Sequence, residues 1–216
     1  MSSNMGSSFS YRTYLPGLTP DQEQALHRFK LIFSEWNSRI NLISRKDIDL
    51  FEVNHVVHSL AIARYIRFNP GAEVLDLGTG GGFPGIPLAI VFPEAQFTLV
   101  DSIAKKTTAV SAMVNELGLA NVKVVRARVE ELNCRMDYVV SRAVAPMEEL
   151  VRWTRRILQP GQCGSLPNGW VVLKGGDLKQ ELSQFSKNIE IKCISDYWKD
   201  DFFETKKIVY LPRQLV

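Results

Sequence analysis

The sequence predicts an α/β fold in which a mostly parallel sheet follows a helical N-terminal region. After residue 70, short apolar runs alternate with segments of helical periodicity, which is the pattern of βαβ units. Before residue 70, apolar side chains instead recur at spacings of three and four, as on one face of a helix. We therefore expect an N-terminal helical region over residues 19–70, packed on the core of a domain over residues 71–216.

Length and composition fit this organisation. The chain has 216 residues, of which 45% are hydrophobic and 23% charged, as in ordinary globular proteins. The three cysteines lie far apart without CxxC spacing, which favours a reducing cytoplasm over a disulfide framework or a zinc site. The apolar stretch at 74–93 is interrupted by Asp76, glycines and prolines, so we expect no membrane association. A net charge of +3 permits an anionic partner without requiring one.

Two helices are predicted in the N-terminal region. The first covers Thr19–Asn37, with Thr19 as N-cap and Gln22 at the capping-box position. The second covers Asp47–Ile66 and ends before the turn signal at Asn69. Residues 1–18 begin with a Ser-rich segment that lacks the apolar core of a signal peptide, and we expect a disordered leader there.

The predicted domain contains five strands, three helices and a C-terminal pair of strands. The strands are Glu73–Leu77, Gln96–Val100, Lys123–Arg126, Tyr138–Ser141 and Trp170–Leu173. The helices are Pro84–Val91, Ala104–Leu117 and Met147–Leu158. Two further runs, Ile189–Ser195 and Lys207–Leu211, are expected to form an antiparallel edge of the sheet.

The stretch VLDLGTGGGFPGIPLAI (Val74–Ile90) carries the strongest functional signal. A strand, a glycine loop and a helix in succession present backbone N–H groups and a positive helix terminus to a ligand. Side chains at Gly78 or Gly80 would hold that ligand away or forbid a positive φ. We therefore expect a nucleotide-like cofactor across the carboxyl edge of the sheet.

Two acidic residues bear on which cofactor binds. The glycines match the dinucleotide expression GxGxxG, but that match alone is weak evidence. Asp76 precedes the loop, where its charge would repel a pyrophosphate and suit the sulfonium and ammonium groups of S-adenosylmethionine. Alternatively, Asp76 caps the loop amides. Asp101 ends the next strand, where its carboxylate can accept both ribose hydroxyls. The pattern favours S-adenosylmethionine over a dinucleotide.

Five stretches in order make the chain resemble the ribosomal RNA small subunit methyltransferase G family, also called glucose-inhibited division protein B. They are WNSRINLIS (36–44), NHVVHSL (54–60), LDLGTGGGFPGIPLAI (75–90), RVEE (128–131) and SRAVAPMEELVRW (141–153). The chain departs from the family's usual residues at Asn54, where Arg is common, and at His58, where Asp is common. It also departs at Glu204–Lys207, where many members carry an Arg–His pair.

The resemblance implies a Rossmann-like class I fold and methyl transfer from S-adenosylmethionine to N7 of a guanine in 16S (small-subunit) ribosomal RNA. It implies cofactor contacts at Gly78 and Phe83, with Val129 and Glu130 beside the adenine and Arg142 at the reacting end. The RNA could be free, in an assembly intermediate or in the subunit, and a monomer is the default expectation. Two alternatives stay open: a non-catalytic RNA-binding or assembly protein, and a methyltransferase acting on a small molecule or protein.

Guanine N7 has a lone pair and no proton to lose, so we expect no general base and no catalytic side chain of that kind. The fourth strand ends in SRAVAP, without a (D/N)PP(Y/F)-like motif, and Cys134 is interpreted as incidental. Arg142 could pair with the cofactor carboxylate, hold an RNA phosphate or form a structural salt bridge. His55 and His58 lack a third ligand, so no metal site is expected.

Positive charge is expected around the site, because guanine N7 must be reached in an unpaired or extruded base. Residues 41–47 could fold over its mouth, and Trp36 and Trp153 are interpreted as core. The candidate cations are Arg39, Arg45, Lys46, Lys105, Lys106, Arg126, Arg128, Arg152, Arg155, Arg156 and Lys174.

Overall fold

The computed structural model describes residues 9–185 and 188–216, apart from the side chains of Arg45 and Lys46. One seven-stranded sheet has the order β3-β2-β1-β4-β5-β7-β6. Strands β1 to β5 pair in parallel, whereas β7 runs antiparallel to both β5 and β6. The strands are β1 Glu73–Leu77, β2 Gln96–Asp101, β3 Val122–Arg126, β4 Tyr138–Arg142, β5 Gly169–Gly175, β6 Glu190–Cys193 and β7 Lys206–Pro212. The predicted mostly parallel sheet with an antiparallel C-terminal edge is confirmed.

Helices cover both faces of this sheet. They are α1 Pro20–Ile40, α2 Arg45–Ile48, α3 His58–Tyr65, α4 Gly85–Val91, α5 Ala104–Leu117 and α6 Met147–Thr154. One core packs alternate strand side chains such as Val74 and Leu99 against α1, α3, α4 and α5. The second core packs the other face, including Leu75 and Val139, against α6. This alternation follows from the strand period of two, because successive side chains point to opposite faces.

Helix α1 begins as the sequence predicts. The hydroxyl of Thr19 accepts a hydrogen bond from the Gln22 backbone N–H at 3.2 Å, and the Gln22 side-chain oxygen accepts one from the Thr19 N–H at 2.9 Å. This capping box satisfies two N–H groups that the first helical turn leaves unpaired. The helix continues three residues beyond the predicted end, to Ile40, and Asn41 ends it in a left-handed conformation.

The predicted single helix over residues 47–66 is wrong in its continuity. After α2 the chain turns, and Glu52–Val57 then forms a π-helix that leads directly into α3. In this segment the N–H of His58 donates to the carbonyl of Val53, five residues earlier. Apolar periodicity could not show this difference, because a single wider turn shifts the helical face only locally.

The predicted disordered leader is also wrong over residues 9–18. Tyr11 lies in a 3₁₀ turn and is fully buried, with its ring centroid 5.0 Å from that of His27 on α1. Leu18 is buried in the same core. Residues 1–8, the rest of that predicted leader, lie outside the described residues. Within the described ranges, no helix has the length and apolar character needed to cross a membrane.

Candidate active site

A cleft of about 530 Å³ lies where the carboxyl ends of β1, β2 and β4 meet. This volume is within the range of small-molecule and cofactor sites. The loop after β1, the end of β2, the segment 127–130 and the residues after β4 form most of its wall. Of the predicted site residues, the cleft brings together Gly78, Gly80, Phe83, Asp101, Val129, Glu130 and Arg142.

The glycine loop has two different reasons to lack side chains. Gly78 has φ +69°, and a Cβ there would lie 2.5 Å from Cγ2 of Val144, so the protein's own packing excludes it. Gly80 has φ +57°, and a Cβ there would meet only the Gly78 carbonyl oxygen, at 3.9 Å. Gly80 lines the cleft, so its bare main chain leaves room that no protein side chain fills. Room of that kind is what a closely approaching ligand requires.

Asp76 lies beneath this loop and is fully buried. Its Oδ2 accepts hydrogen bonds from the Thr79 hydroxyl at 2.6 Å and from the Gly85 backbone N–H at 2.9 Å. Burial raises the pKa of Asp76 to about 7, and these two hydrogen bonds oppose that rise. The side chain does not line the cleft, so its contacts match the capping alternative rather than a direct contact with a sulfonium.

Asp101 connects the loop to the end of β2. Its Oδ2 accepts from the Gly80 N–H at 3.0 Å and its Oδ1 accepts from the Ile103 N–H at 2.9 Å. Each carboxylate oxygen has two lone pairs, so both can accept a further hydrogen bond. Because Asp101 lines the cleft, it can accept the two hydroxyls of a ribose while it holds the loop.

Arg142, the last residue of β4, lines the cleft and is held from below by neutral groups. Its Nη1 donates to the carbonyl oxygen of Asn54 at 3.0 Å, and its Nη2 lies 2.9 Å from Nδ1 of His55. The guanidinium carbon lies 4.8 Å from the ring centroid of Phe83, a cation–π distance. Burial lowers the pKa of Arg142 to about 10, so the group stays charged at neutral pH.

The 3₁₀ turn Val129–Glu131 and helix α6 form another part of the cleft wall. In this turn Val129 is buried and Glu130 is exposed, where the family resemblance implies adenine contacts. Trp153 of α6, expected from the sequence to lie in the core, also lines the cleft. Trp153 is half-buried, so one part of its side chain packs on the second core and another part faces the cleft. Trp36 is half-buried with the Arg39 guanidinium over its ring, and it does not line the cleft.

The predicted cations are only partly gathered at this site. Lys106 and Arg128 line the cleft, as do Leu42 and Ile43 from the predicted mouth segment 41–47. The side chains of Arg45 and Lys46 lie outside the described part of the chain. Four other cations contact groups of the protein. Arg152 pairs with Glu149, and Lys174 pairs with Glu181. Arg155 donates a hydrogen bond to the carbonyl oxygen of Val216, and Arg156 donates to the carbonyls of Glu130 and Leu132. Arg39 pairs with Glu35, and Lys105 and Arg126 are exposed without lining the cleft.

The buried histidines belong to the protein's own packing. His55 accepts a hydrogen bond from Arg142 at its Nδ1, and the His58 ring centroid lies 5.4 Å from that of Phe202. Burial and the charge of Arg142 lower the pKa of His55 to about 4, and they hold the pKa of His58 well below its ordinary value. Both rings are therefore neutral at physiological pH. Over the described ranges, no group of three His, Cys, Asp or Glu side chains is placed to hold a metal ion.

Comparison with solved structures defines the class of the fold. The magnesium protoporphyrin IX methyltransferase of Synechocystis superposes with a TM-score of 0.56 at 16% identity, covering 91% of this chain and 99% of that one. A precorrin-6y C5,15-methyltransferase from Geobacter metallireducens gives 0.55 at 15% identity, covering 72% and 86%. These likenesses confirm the Rossmann-like class I methyltransferase fold.

Comparison of sequences defines the family. Residues 22–208 match the family model described as rRNA small subunit methyltransferase G. The chain is 48% identical to a ribosomal RNA small subunit methyltransferase G from Christiangramia forsetii, over 93% of this chain and 95% of that protein. It is 47% identical to the protein of that name from Bacteroides thetaiotaomicron, over 91% and 96%. The chain belongs to the rRNA small subunit methyltransferase G family, as its five stretches indicate.

Proposed function

We propose that this chain is an enzyme that transfers the methyl group of S-adenosyl-L-methionine to N7 of a guanine in 16S ribosomal RNA. Membership of the methyltransferase G family over residues 22–208 is the observation that carries the proposal. The cleft supports it, because its wall offers the bare main chain at Gly80, the Asp101 carboxylate and the Arg142 guanidinium in one place.

The residues present fit S-adenosylmethionine. In the proposed arrangement, the main chain at Gly78 and Gly80 faces the cofactor and Asp101 accepts its ribose hydroxyls. Val129 and Glu130 lie beside the adenine, and Arg142 with Phe83 lies at the methionine end. Asp76 acts through the loop that it caps rather than by contact. When bound, the cofactor supplies an electrophilic methyl group on a sulfonium.

The chain's own contribution to catalysis is positioning. Guanine N7 attacks with an existing lone pair, so no side chain must remove a proton. Asp76 has a pKa close to neutral, but its burial below the loop keeps it from the reacting atoms. The cleft residues therefore act by aligning two bound groups and by tolerating the cationic product, for which fixed dipoles and carboxylates are suited.

The RNA must present an unpaired or extruded guanine, because A-form RNA buries N7 in its deep major groove. We propose that Lys106 and Arg128 contact its phosphates, since both line the cleft and neither pairs with a carboxylate among the described residues. The substrate is 16S rRNA, free, in an assembly intermediate or in the subunit, and we propose a monomeric, cytoplasmic enzyme.

A methyl-transfer assay tests this proposal. The purified chain is incubated with S-adenosylmethionine labelled in its methyl group and, separately, with 16S rRNA, small subunits and assembly intermediates from a strain lacking the enzyme. Borohydride and aniline then cleave the RNA at N7-methylguanine, and primer extension maps the cut. We expect one modified guanine in at least one of the three substrates.

Two outcomes would overturn it. Binding of the methyl donor without transfer to any of the three RNAs would favour an enzyme for a small molecule or protein. No binding of the donor by the folded chain would favour a non-catalytic RNA-binding or assembly protein. Omission of RNA and addition of excess S-adenosylhomocysteine are the controls.

A further inference from the structure

Arg142 is a partly buried cation whose protein partners carry no charge. The Asn54 carbonyl, the His55 ring and the Phe83 face contact its guanidinium. Among the described residues no carboxylate lies within ion-pair distance of it, and Asp76 and Asp47 influence it only from farther away. Withdrawing a charge from water without a counter-charge has a cost, which an anionic ligand can offset. The guanidinium also lines the cleft, so an anionic group can reach it there.

His55 has the protonation state that this arrangement requires. To accept from Arg142, its Nδ1 must be unprotonated, so the proton of the neutral ring is on Nε2. That Nε2 is buried and has no hydrogen-bond partner among the described residues. The ring therefore offers one acceptor and no charge. An aspartate at this position would also accept the hydrogen bond, but it would neutralise the cation.

The backbone explains how two consecutive residues reach one guanidinium. Asn54 and His55 lie within the π-helix Glu52–Val57, whose wider turn is a form frequent at functional sites. The Asn54 contact uses its carbonyl oxygen, and the His55 contact uses its ring. The Ser59 hydroxyl donates to the His55 carbonyl at 2.7 Å, which fixes that residue's backbone. The π-helix thus presents two neutral acceptors side by side beneath Arg142.

We propose that His55 is a positioning residue that orients the Arg142 guanidinium and leaves its positive charge available to an oxyanion in the cleft. Within the proposed function, on which this inference rests, the oxyanion is the carboxylate of the cofactor's methionine part or a phosphate of the bound RNA. His55 itself touches neither. Its effect is to keep Arg142 both fixed in direction and unneutralised.

Three substitutions separate orientation, charge and packing. His55→Asn places an amide oxygen near the former Nδ1 and keeps the site neutral. His55→Asp is nearly the same shape but adds a negative charge, and His55→Leu removes the acceptor. Calorimetry measures binding of S-adenosylhomocysteine and of its decarboxylated analogue, S-adenosyl-3-thiopropylamine. Kinetics on 16S rRNA give the KM for RNA, and circular dichroism reports whether each variant folds.

For a carboxylate ligand we expect His55→Leu and His55→Asp to weaken S-adenosylhomocysteine by about tenfold or more, a difference of about 1.4 kcal/mol. The decarboxylated analogue should change less than about threefold, and His55→Asn should restore most of the lost affinity. For a phosphate ligand, the same two variants should instead raise the KM for RNA with unchanged nucleoside binding. Either selective pattern supports the proposal, and each identifies the oxyanion.

Equal weakening of both nucleosides would show a structural role only and would overturn the proposal. So would unchanged binding and unchanged KM in all three variants. If His55→Leu does not fold, the near-isosteric pair His55→Asn and His55→Asp decides the matter, since equal behaviour of that pair contradicts a role for charge. Failure of the proposed function is distinguishable, because the wild-type chain would then either bind no S-adenosylhomocysteine or transfer no methyl group to any of the three RNAs.

Discussion

Substituting Gly80 by alanine tests whether the open space beside the loop belongs to the cofactor. A Cβ at Gly80 meets only the Gly78 carbonyl oxygen at 3.9 Å, so the methyl group strains no protein contact. The position has φ +57°, where an L-residue is disfavoured. Gly118, the residue that ends α5, provides a matched control, since it has φ +71° and no atom within 4 Å of its Cβ.

Both variants should lose about the same stability and only one should lose affinity. The left-handed conformation costs an alanine about 1–2 kcal/mol at either site. In a filled cleft, the methyl group at Gly80 would add an overpacking cost of about 1–3 kcal/mol. That cost corresponds to roughly 5- to 150-fold weaker binding. Gly118 does not line the cleft, so Gly118→Ala should bind as the wild type does.

Urea denaturation measures the stability of each variant, and calorimetry measures its affinity for S-adenosylhomocysteine. If Gly80→Ala binds S-adenosylhomocysteine as tightly as Gly118→Ala does, the space beside Gly80 does not belong to the cofactor. Similar losses of affinity in both variants would point instead to a general effect of destabilisation. Gly80→Val extends the series, because its larger side chain should weaken binding further. Gly118→Val should lose stability but keep its affinity for S-adenosylhomocysteine.

Three further predictions concern the surroundings of the cleft. Asp76→Asn should keep cofactor affinity within about threefold, whereas Asp76→Ala should lose about 1–3 kcal/mol of stability by leaving the Thr79 and Gly85 donors unpaired. Calorimetry measures the affinity. A large loss of affinity in a stable Asp76→Asn variant would mean that Asp76 contacts the cofactor directly. Because the pKa of His55 falls from 6.5 to about 4 on folding, the unfolded chain takes up the proton first, so stability is fully present above about pH 6.5 and declines as the pH falls towards 4. Urea curves at pH 7 and pH 5 should differ by about 2 kcal/mol more in the wild type than in His55→Asn, and identical differences would contradict this. S-adenosylhomocysteine should change the fluorescence of Trp153, and a change that persists in Trp153→Phe would place the nucleoside elsewhere.

The strands were predictable because a parallel sheet covered on both faces needs nearly continuous apolar runs. The π-helix at 52–57 was not, since hydrophobic spacing does not reveal which carbonyl each N–H reaches. Tyr11 is buried with its ring against that of His27, and the residues near Tyr11 in the sequence do not predict this tertiary contact. The sequence therefore predicted a disordered leader, although residues 9–18 pack on α1.

Some residues of the candidate site could also be predicted from the sequence, and others could not. Gly80 and Asp101 follow from their positions at the ends of β1 and β2, because parallel strands bring their carboxyl ends to one edge. The role of Arg142 came from the family resemblance, and the fold places this residue at the same edge. Trp153 could not be placed, since the direction of a half-buried side chain on α6 is decided by packing. For Asp76 the sequence left a direct cofactor contact and a cap of the loop open, and its burial and hydrogen bonds match the cap.

The structure shows the surroundings of the three positions where the chain departs from the family's usual residues. Asn54 contacts Arg142 through its backbone carbonyl, so that contact does not depend on which side chain the position carries. His58 packs against the rings of Phe202 and Phe203, which precede Glu204–Lys207, and Lys206 lies over the Phe202 ring. The second and third departures are thus neighbours in space, although they are far apart in the sequence.

A crystal structure of the chain with S-adenosylhomocysteine would show whether the cleft at the carboxyl ends of β1, β2 and β4 is the cofactor site. We expect the nucleoside to lie along the main chain at Gly80, with its ribose on Asp101 and its amino-acid end towards Arg142. An empty cleft, or a nucleoside bound away from the carboxyl ends of β1 and β2, would contradict it.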